Sequence, residues 1–166
     1  MRATLLAIAL GAGATVATPL VLADERGAAL FAEHCVACHD VRGAGVPGFG
    51  TPLAGPVAAR YVASGGRDYL AQVVVHGISG IVAFGGQRQF AAMPSHAKLS
   101  DDDLARVLNH VLGTLNATVL PPRFEPIASA DIAAARSLQR TPGELHKTKA
   151  ALERNSPAKE SLRAAP

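Results

Sequence analysis

With 166 residues, a formal net charge of +3, two cysteines, no tryptophan, two tyrosines and five phenylalanines, the chain has room for one domain of roughly 100 to 150 residues plus appendages. It carries too few aromatic rings to fill much of a core. The charge is uneven, with seven Lys/Arg against eight Asp/Glu in residues 24–117 and eight against five in 118–166. The basic C-terminal charges alternate in sign without interleaved aromatics, which reads as a solvated face and argues against a nucleic-acid interface.

Met1 to Ala23 follows the order of a secretory signal: Arg2, an uncharged run, and the small residue Ala23 before Asp24 and Glu25. Cleavage after Ala23 is expected and places the working protein, residues 24 onward, in the periplasm. An uncleaved segment of this length could just span a bilayer, and only then would the chain have a membrane partner. In Glu25 to Cys38, Ala28, Phe31, Ala32 and Cys35 recur at helical spacing, which predicts a helix running into the cysteines. Residues 42–56 hold five glycines and three prolines, a wrapped loop. Arg67 to His76 reads as a second helix with the stripe Tyr69, Leu70, Val73, Val74, stopped by Gly77. Residues 77–99 read as another glycine-rich loop, and no segment reads as strand.

Ser100 opens a well-signalled helix. Its hydroxyl can cap the start, Asp101 to Asp103 place negative charge at the positive end of the helix dipole, and an apolar stripe follows from Leu104 to Leu115. After Asn116, Pro121, Pro122 and Pro126 mark a linker. Two short helices are then expected: residues 130–138 capped by Ser129, and one opened by the capping box Thr141-Pro142-Gly143-Glu144.

Cys35-Val36-Ala37-Cys38-His39 decides the chemistry. Two thiols three residues apart can each add to a haem vinyl group as thioethers, and the adjacent imidazole is then held under the iron as an axial ligand. A zinc site would need further ligands that no other cysteine supplies. A redox dithiol of the thioredoxin type should follow a strand in a βαβ unit, whereas this motif ends a helix. A buried porphyrin would also supply the core volume that aromatics do not.

Residues 24–117 resemble a class I cytochrome c of the bacterial type. The resemblance is carried by Gly27 and Phe31, Cys35 to His39, Pro52-Leu53-Ala54-Gly55, His76-Gly77, Met93-Pro94 and Leu99-Ser100-Asp101. It implies an all-α fold, a small cytochrome c domain wrapped round one covalently bound haem c. It also implies an electron-transfer role, as a soluble carrier or as the cytochrome subunit of a dehydrogenase complex, with no substrate chemistry, hence no enzyme and no small-molecule substrate. Residues 118–166 form a helical or partly disordered extension, either a strap on the chain's own domain or a docking arm. The expected partners are a redox protein donor and acceptor, with the catalytic subunit of a periplasmic dehydrogenase as one candidate.

Met93 is the expected sixth ligand. Beyond Met1 it is the only methionine, it lies in a segment read as irregular, and Pro94 would hold that segment extended. The rivals are histidines: His34 and His96, both expected to be exposed; His76, at a helix end, where it can meet a propionate or a carbonyl; and His110, where the family usually has an aromatic against the Gly27/Phe31 helix. His146, in the tail, carries no site signal. The family often places a proline where Thr51 stands, with its carbonyl accepting the proton of the ligating imidazole; a backbone acceptor survives that change. Arg60, Tyr61, Arg67, Tyr69 and Arg88 are candidates to meet the propionates.

Overall fold

Asp24 starts the first helix of the computed structural model, its carboxylate accepting the Gly27 N–H at 3.1 Å. The structure describes residues 24–84, 86–121 and 124–154. The proposed signal, Met1 to Ala23, lies outside them, as does the end of the tail. In chain order the elements are α1 (Glu25–His34), α2 (Val36–His39), α3 (Pro56–Tyr61), α4 (Gly66–His76), β1 (Ile78–Phe84), β2 (Gln87–Met93), α5 (Asp101–His110), α6 (Ser129–Ser137) and α7 (Pro142–Arg154). The fold is mostly helical, and α5 runs on into a π-helical turn, Val111–Leu115.

The crossing of α1 and α5 organises the core. A Cβ on Gly27 would stand 2.6 Å from the Arg106 carbonyl oxygen, so only glycine lets the two backbones approach this closely. One turn on, the Phe31 and His110 rings pack with centroids 5.3 Å apart. The imidazole thus takes the aromatic's place in the crossing. Two ion pairs flank the contact, Arg26 with Asp103 at 2.6 Å and Arg106 with Asp24 at 3.0 Å. As expected, Ser100 caps α5, its hydroxyl accepting the Asp103 N–H at 3.1 Å.

Residues 77–99 depart from the sequence expectation of a loop. β1 and β2 form an antiparallel hairpin whose register runs from Ile78 opposite Met93 to Phe84 opposite Gln87. The glycines that read as breakers include Gly85-Gly86 between two apolar runs, a hairpin signal once the flanking β-branched and aromatic residues are weighed with it. The described C-terminal residues, 124–154, pack on the domain. Ile127, Ile132, Ala135 and Leu145 are buried in the same core as Phe31 and Leu104. The Arg67 guanidinium donates to the carbonyls of Glu125 and Pro126 at 2.7 and 2.6 Å and pairs with Asp131 at 2.6 Å. Asn109 and Ile127 exchange two hydrogen bonds of 2.9 and 2.8 Å. Ser129 does not cap α6; Ala128 occupies that position, and its N–H is taken by Asp131 at 2.7 Å. The α7 capping box forms as expected, with Thr141 N–H on Glu144 at 2.8 Å and Glu144 N–H on the Thr141 hydroxyl at 3.2 Å.

Asn116, fully buried, ends the π-helical turn. Its Oδ1 accepts the Gly55 N–H at 2.7 Å, and its Nδ2 donates to the carbonyls of Val111 at 2.9 Å and Leu53 at 3.3 Å. One side chain therefore pins the Leu53–Gly55 loop to the end of α5. Asn116→Ala strands the buried Val111 carbonyl and loosens the part-buried bonds to Gly55 and Leu53, and a loss of about 2–4 kcal/mol in chemical denaturation is expected, since a stranded buried group costs roughly 1–3 kcal/mol and each partly exposed bond adds less.

Candidate cofactor pocket

The short α2 follows directly on α1, with Cys35 at the junction in a non-helical conformation (φ −121°, ψ −33°). The break turns the chain so that Cys35, Cys38 and His39 all line one cavity that opens to solvent. Leu70 and Val74 from α4, Leu108 from α5 and Val111 from the π-helical turn supply much of its apolar wall. The hairpin closes another side and brings in Met93, half-buried, together with Pro94. Met93 is thus the last residue of a strand rather than part of an irregular loop, and its position is set by the ladder pairing it with Ile78.

The His39 ring is fixed by the loop that follows it. Its Nδ1 donates to the Thr51 carbonyl at 2.8 Å. A carbonyl can only accept, so the proton sits on Nδ1. Burial holds the imidazole below its usual pKa, partly offset by that bond, so the ring is neutral and Nε2 keeps its lone pair. Threonine in place of the family's proline keeps this bond, because the acceptor is backbone. Burial, reinforced by Cys38, pushes the Cys35 thiol up to about 11. That is the opposite of the lowered value a redox dithiol requires.

The rival histidines separate clearly. His76 Nε2 donates to the Ala135 carbonyl of α6 at 2.9 Å, which spends it on the tail, and His110 is spent on Phe31. His34 and His96 were expected to be exposed, yet both are half-buried and line the cavity, with ring centroids 6.3 Å apart. The end of α1 packs against the segment after Met93, and burial, followed by the neighbouring His34 and His39, lowers the His96 pKa. His146, which carried no signal in the sequence, lines the cavity from α7, as does Lys149.

Of the propionate candidates, Tyr61 is spent on the Glu125 carbonyl at 2.6 Å and Arg67 on the linker, while Arg88 is exposed on β2. Arg60 and Tyr69 remain at the cavity wall. Burial, more than any charge nearby, keeps the Tyr69 phenol protonated. Neutral imidazole, thioether and two thiols form a donor set suited to haem iron and its vinyl groups, and the wall residues fit the group.

The cytochrome c family model matches residues 25–114. A cytochrome c-552 of Thermus thermophilus is 34% identical over 145 residues, covering 87% of this chain and 93% of that protein. A second cytochrome c-552 of the same species is 34% identical over 119 residues, covering 72% of this chain and 90% of that protein. The first of these alignments is longer than the family match, so the likeness extends past the family's common domain. Similarity of this extent accounts for the motif, the cavity built round it and the scarcity of core aromatics together: the chain belongs to the cytochrome c family, an electron-transfer family, and carries one haem c attached through Cys35 and Cys38.

Proposed function

We propose that this protein is an exported one-electron carrier in which His39 Nε2 and the Met93 sulfur hold the two axial positions of the haem iron. The observation that carries this reading is the 2.8 Å bond from His39 Nδ1 to Thr51, which leaves the Nε2 lone pair free beside the attachment cysteines. Met93 supplies a thioether to the same cavity. When bound, the haem supplies a one-electron ferric/ferrous couple. The protein's residues do the rest: Cys35 and Cys38 anchor the porphyrin edge, Thr51 orients His39 and raises its basicity, and the apolar faces of α4 and α5 keep water out. With both axial positions filled, no site remains for a substrate. Export is supported by the order of residues in Met1 to Ala23. Among the described residues no helix is long and apolar enough to cross a membrane.

The partners on this reading are redox proteins, one donor and one acceptor, with a periplasmic dehydrogenase as a candidate donor. The extension's engagement with α4 and α5 favours a strap over a docking arm. The optical spectrum of the purified ferric protein tests the ligation. A low-spin spectrum with the weak sulfur-to-iron charge-transfer band at its red end is expected; a high-spin spectrum that shifts readily with cyanide would overturn it in favour of an open-site haem catalyst or gas binder.

A further inference from the structure

The carbonyl that orients His39 belongs to Thr51, and the segment carrying it is fastened from the far end of the domain. Pro52 follows Thr51, and its ring fixes one of the few backbone torsions between Thr51 and Leu53. Leu53 is then tied on both sides. Its N–H donates to the Gly43 carbonyl at 2.8 Å, and its own carbonyl accepts the Val57 N–H at 3.2 Å and the Asn116 Nδ2 amide at 3.3 Å. Two residues on, the Gly55 N–H donates to the Asn116 Oδ1 at 2.7 Å. Gly43 and Val57 belong to the same stretch of chain as Leu53. Among the described residues, Asn116 alone bonds that stretch to the end of α5.

Asn116 does not line the cavity, but it joins two residues that do. One is Leu53, and the other is Val111, whose carbonyl accepts Nδ2 at 2.9 Å. The side chain is fully buried, so no water stands ready to replace it and its bonds are costly to lose. The π-helical turn that delivers Asn116 makes a second contact with the loop. A Cβ on Gly43 would come within 3.0 Å of Leu115 Cδ1, at the end of that turn. Asn116 lies past residue 114, where the family match ends.

We propose that Asn116 is a positioning residue for the axial ligand: by fixing Leu53 and Gly55 it holds the Thr51 carbonyl on His39 Nδ1, and so sets how strongly the imidazole donates to the iron. The proposal rests on His39 being that ligand. A well-held bond from the outer ring nitrogen to a carbonyl raises the basicity of the ligating nitrogen, and a more basic ligand favours ferric iron. Without Asn116 the segment is left with its own internal bonds, the His39–Thr51 bond weakens on average, and the iron becomes easier to reduce.

The test uses the haem-loaded full chain with Asn116→Ala, the smaller change Asn116→Ser, and Ile132→Ala. The last removes a fully buried side chain of α6 and lowers stability without touching the loop. In the ferrous, diamagnetic protein the His39 Nδ1–H resonance reports its bond to Thr51. Asn116→Ala is expected to move that resonance upfield and to speed its exchange with solvent by about tenfold or more relative to the backbone amides of α1 and α5 in the same sample. The equilibrium constant for haem reduction should rise roughly two- to tenfold, the range of one net hydrogen bond. Asn116→Ser should show both changes in smaller measure, and Ile132→Ala neither. Unchanged resonance and potential in the Asn116 variants, with stability alone reduced, would make Asn116 a purely structural residue and overturn the proposal. So would a fall in the reduction constant, which would mean that water had entered the cavity, or equal shifts in Ile132→Ala, which would mean general loosening. Should neither Asn116 variant fold, the unmodified protein decides: slow exchange of the Gly55 amide, in step with the amides of α5, supports the hold that Asn116 has on it, and exchange at the rate of an open loop refutes it. His39 ring protons without the large ring-current shift of a haem ligand would overturn the ligation beneath the proposal, and the unmodified protein shows that before any variant is made.

Discussion

Truncation after Asn116 is expected to lower the melting temperature of the haem-loaded protein by about 20 °C or more, or to abolish a cooperative transition. The cut removes Leu120, Ile127, Ile132 and Leu145, each at most 7% exposed. Burying a Leu or Ile side chain contributes about 1.5–3 kcal/mol, so the loss exceeds about 6 kcal/mol against a typical total of about 5–15. For a chain of this size each kcal/mol moves the midpoint by a few degrees. The faces of α4 and α5 left bare would also meet water, and Arg67 and His76 would lose their carbonyl partners. Electron transfer should persist wherever the domain remains folded. A docking arm predicts the reverse: a melting temperature within a few degrees of the full chain, with a slower, less salt-dependent reaction with the native donor. Calorimetry of the two haem-loaded proteins decides between them.

Met93→Ala should leave the haem attached, because Cys35 and Cys38 lie in a different segment, while lowering the reduction potential by roughly 0.1–0.3 V. That is a fraction of the ~0.8 V range over which axial ligands tune haem. On the proposed ligation, the variant loses a thioether that favours ferrous iron, which sets the sign. The ferric protein should lose the red-end charge-transfer band and bind cyanide readily. His96 and His34 line the same cavity, and their imidazoles are the internal competitors. If one of them moves in, the variant is low-spin without the sulfur band, and its potential still falls. An unchanged potential and an unchanged spectrum would mean that Met93 is not a ligand in the native protein. His76, a rival on sequence grounds, is held away by the Ala135 carbonyl.

What could be read from the sequence was what neighbouring residues enforce on one another. Cys35, Cys38 and His39 carry their chemistry in a spacing of five residues. The Ser100 cap and the Thr141/Glu144 box each join residues three apart, a distance at which helix geometry leaves little freedom. The backbone acceptor for His39 could be anticipated because a carbonyl does not depend on the side chain at Thr51. Ser129 shows where such reasoning fails: two neighbouring residues could start α6, and the structure has Ala128 there, its N–H on Asp131.

The rest depended on which surfaces the folded chain brings together. The hairpin needed both apolar runs to be paired, and glycine counted alone pointed to a loop. Asn116 shows only a polar residue after a helix until Leu53 and Gly55 arrive beside it. His34 and His96 are polar residues in polar segments, so nothing local told of their burial. His146 and Lys149 sit on a charged, amphipathic helix with no motif of its own; they reach the cofactor cavity because α7 packs on β1, where Gly80 leaves space for an imidazole. The sequence by itself determined the covalent chemistry and the His39 side of the site, because those rest on local spacing and backbone. Tertiary structure alone decided the wall that α7 adds to the pocket and the packing of the tail against the domain, because burial arises only when distant segments meet.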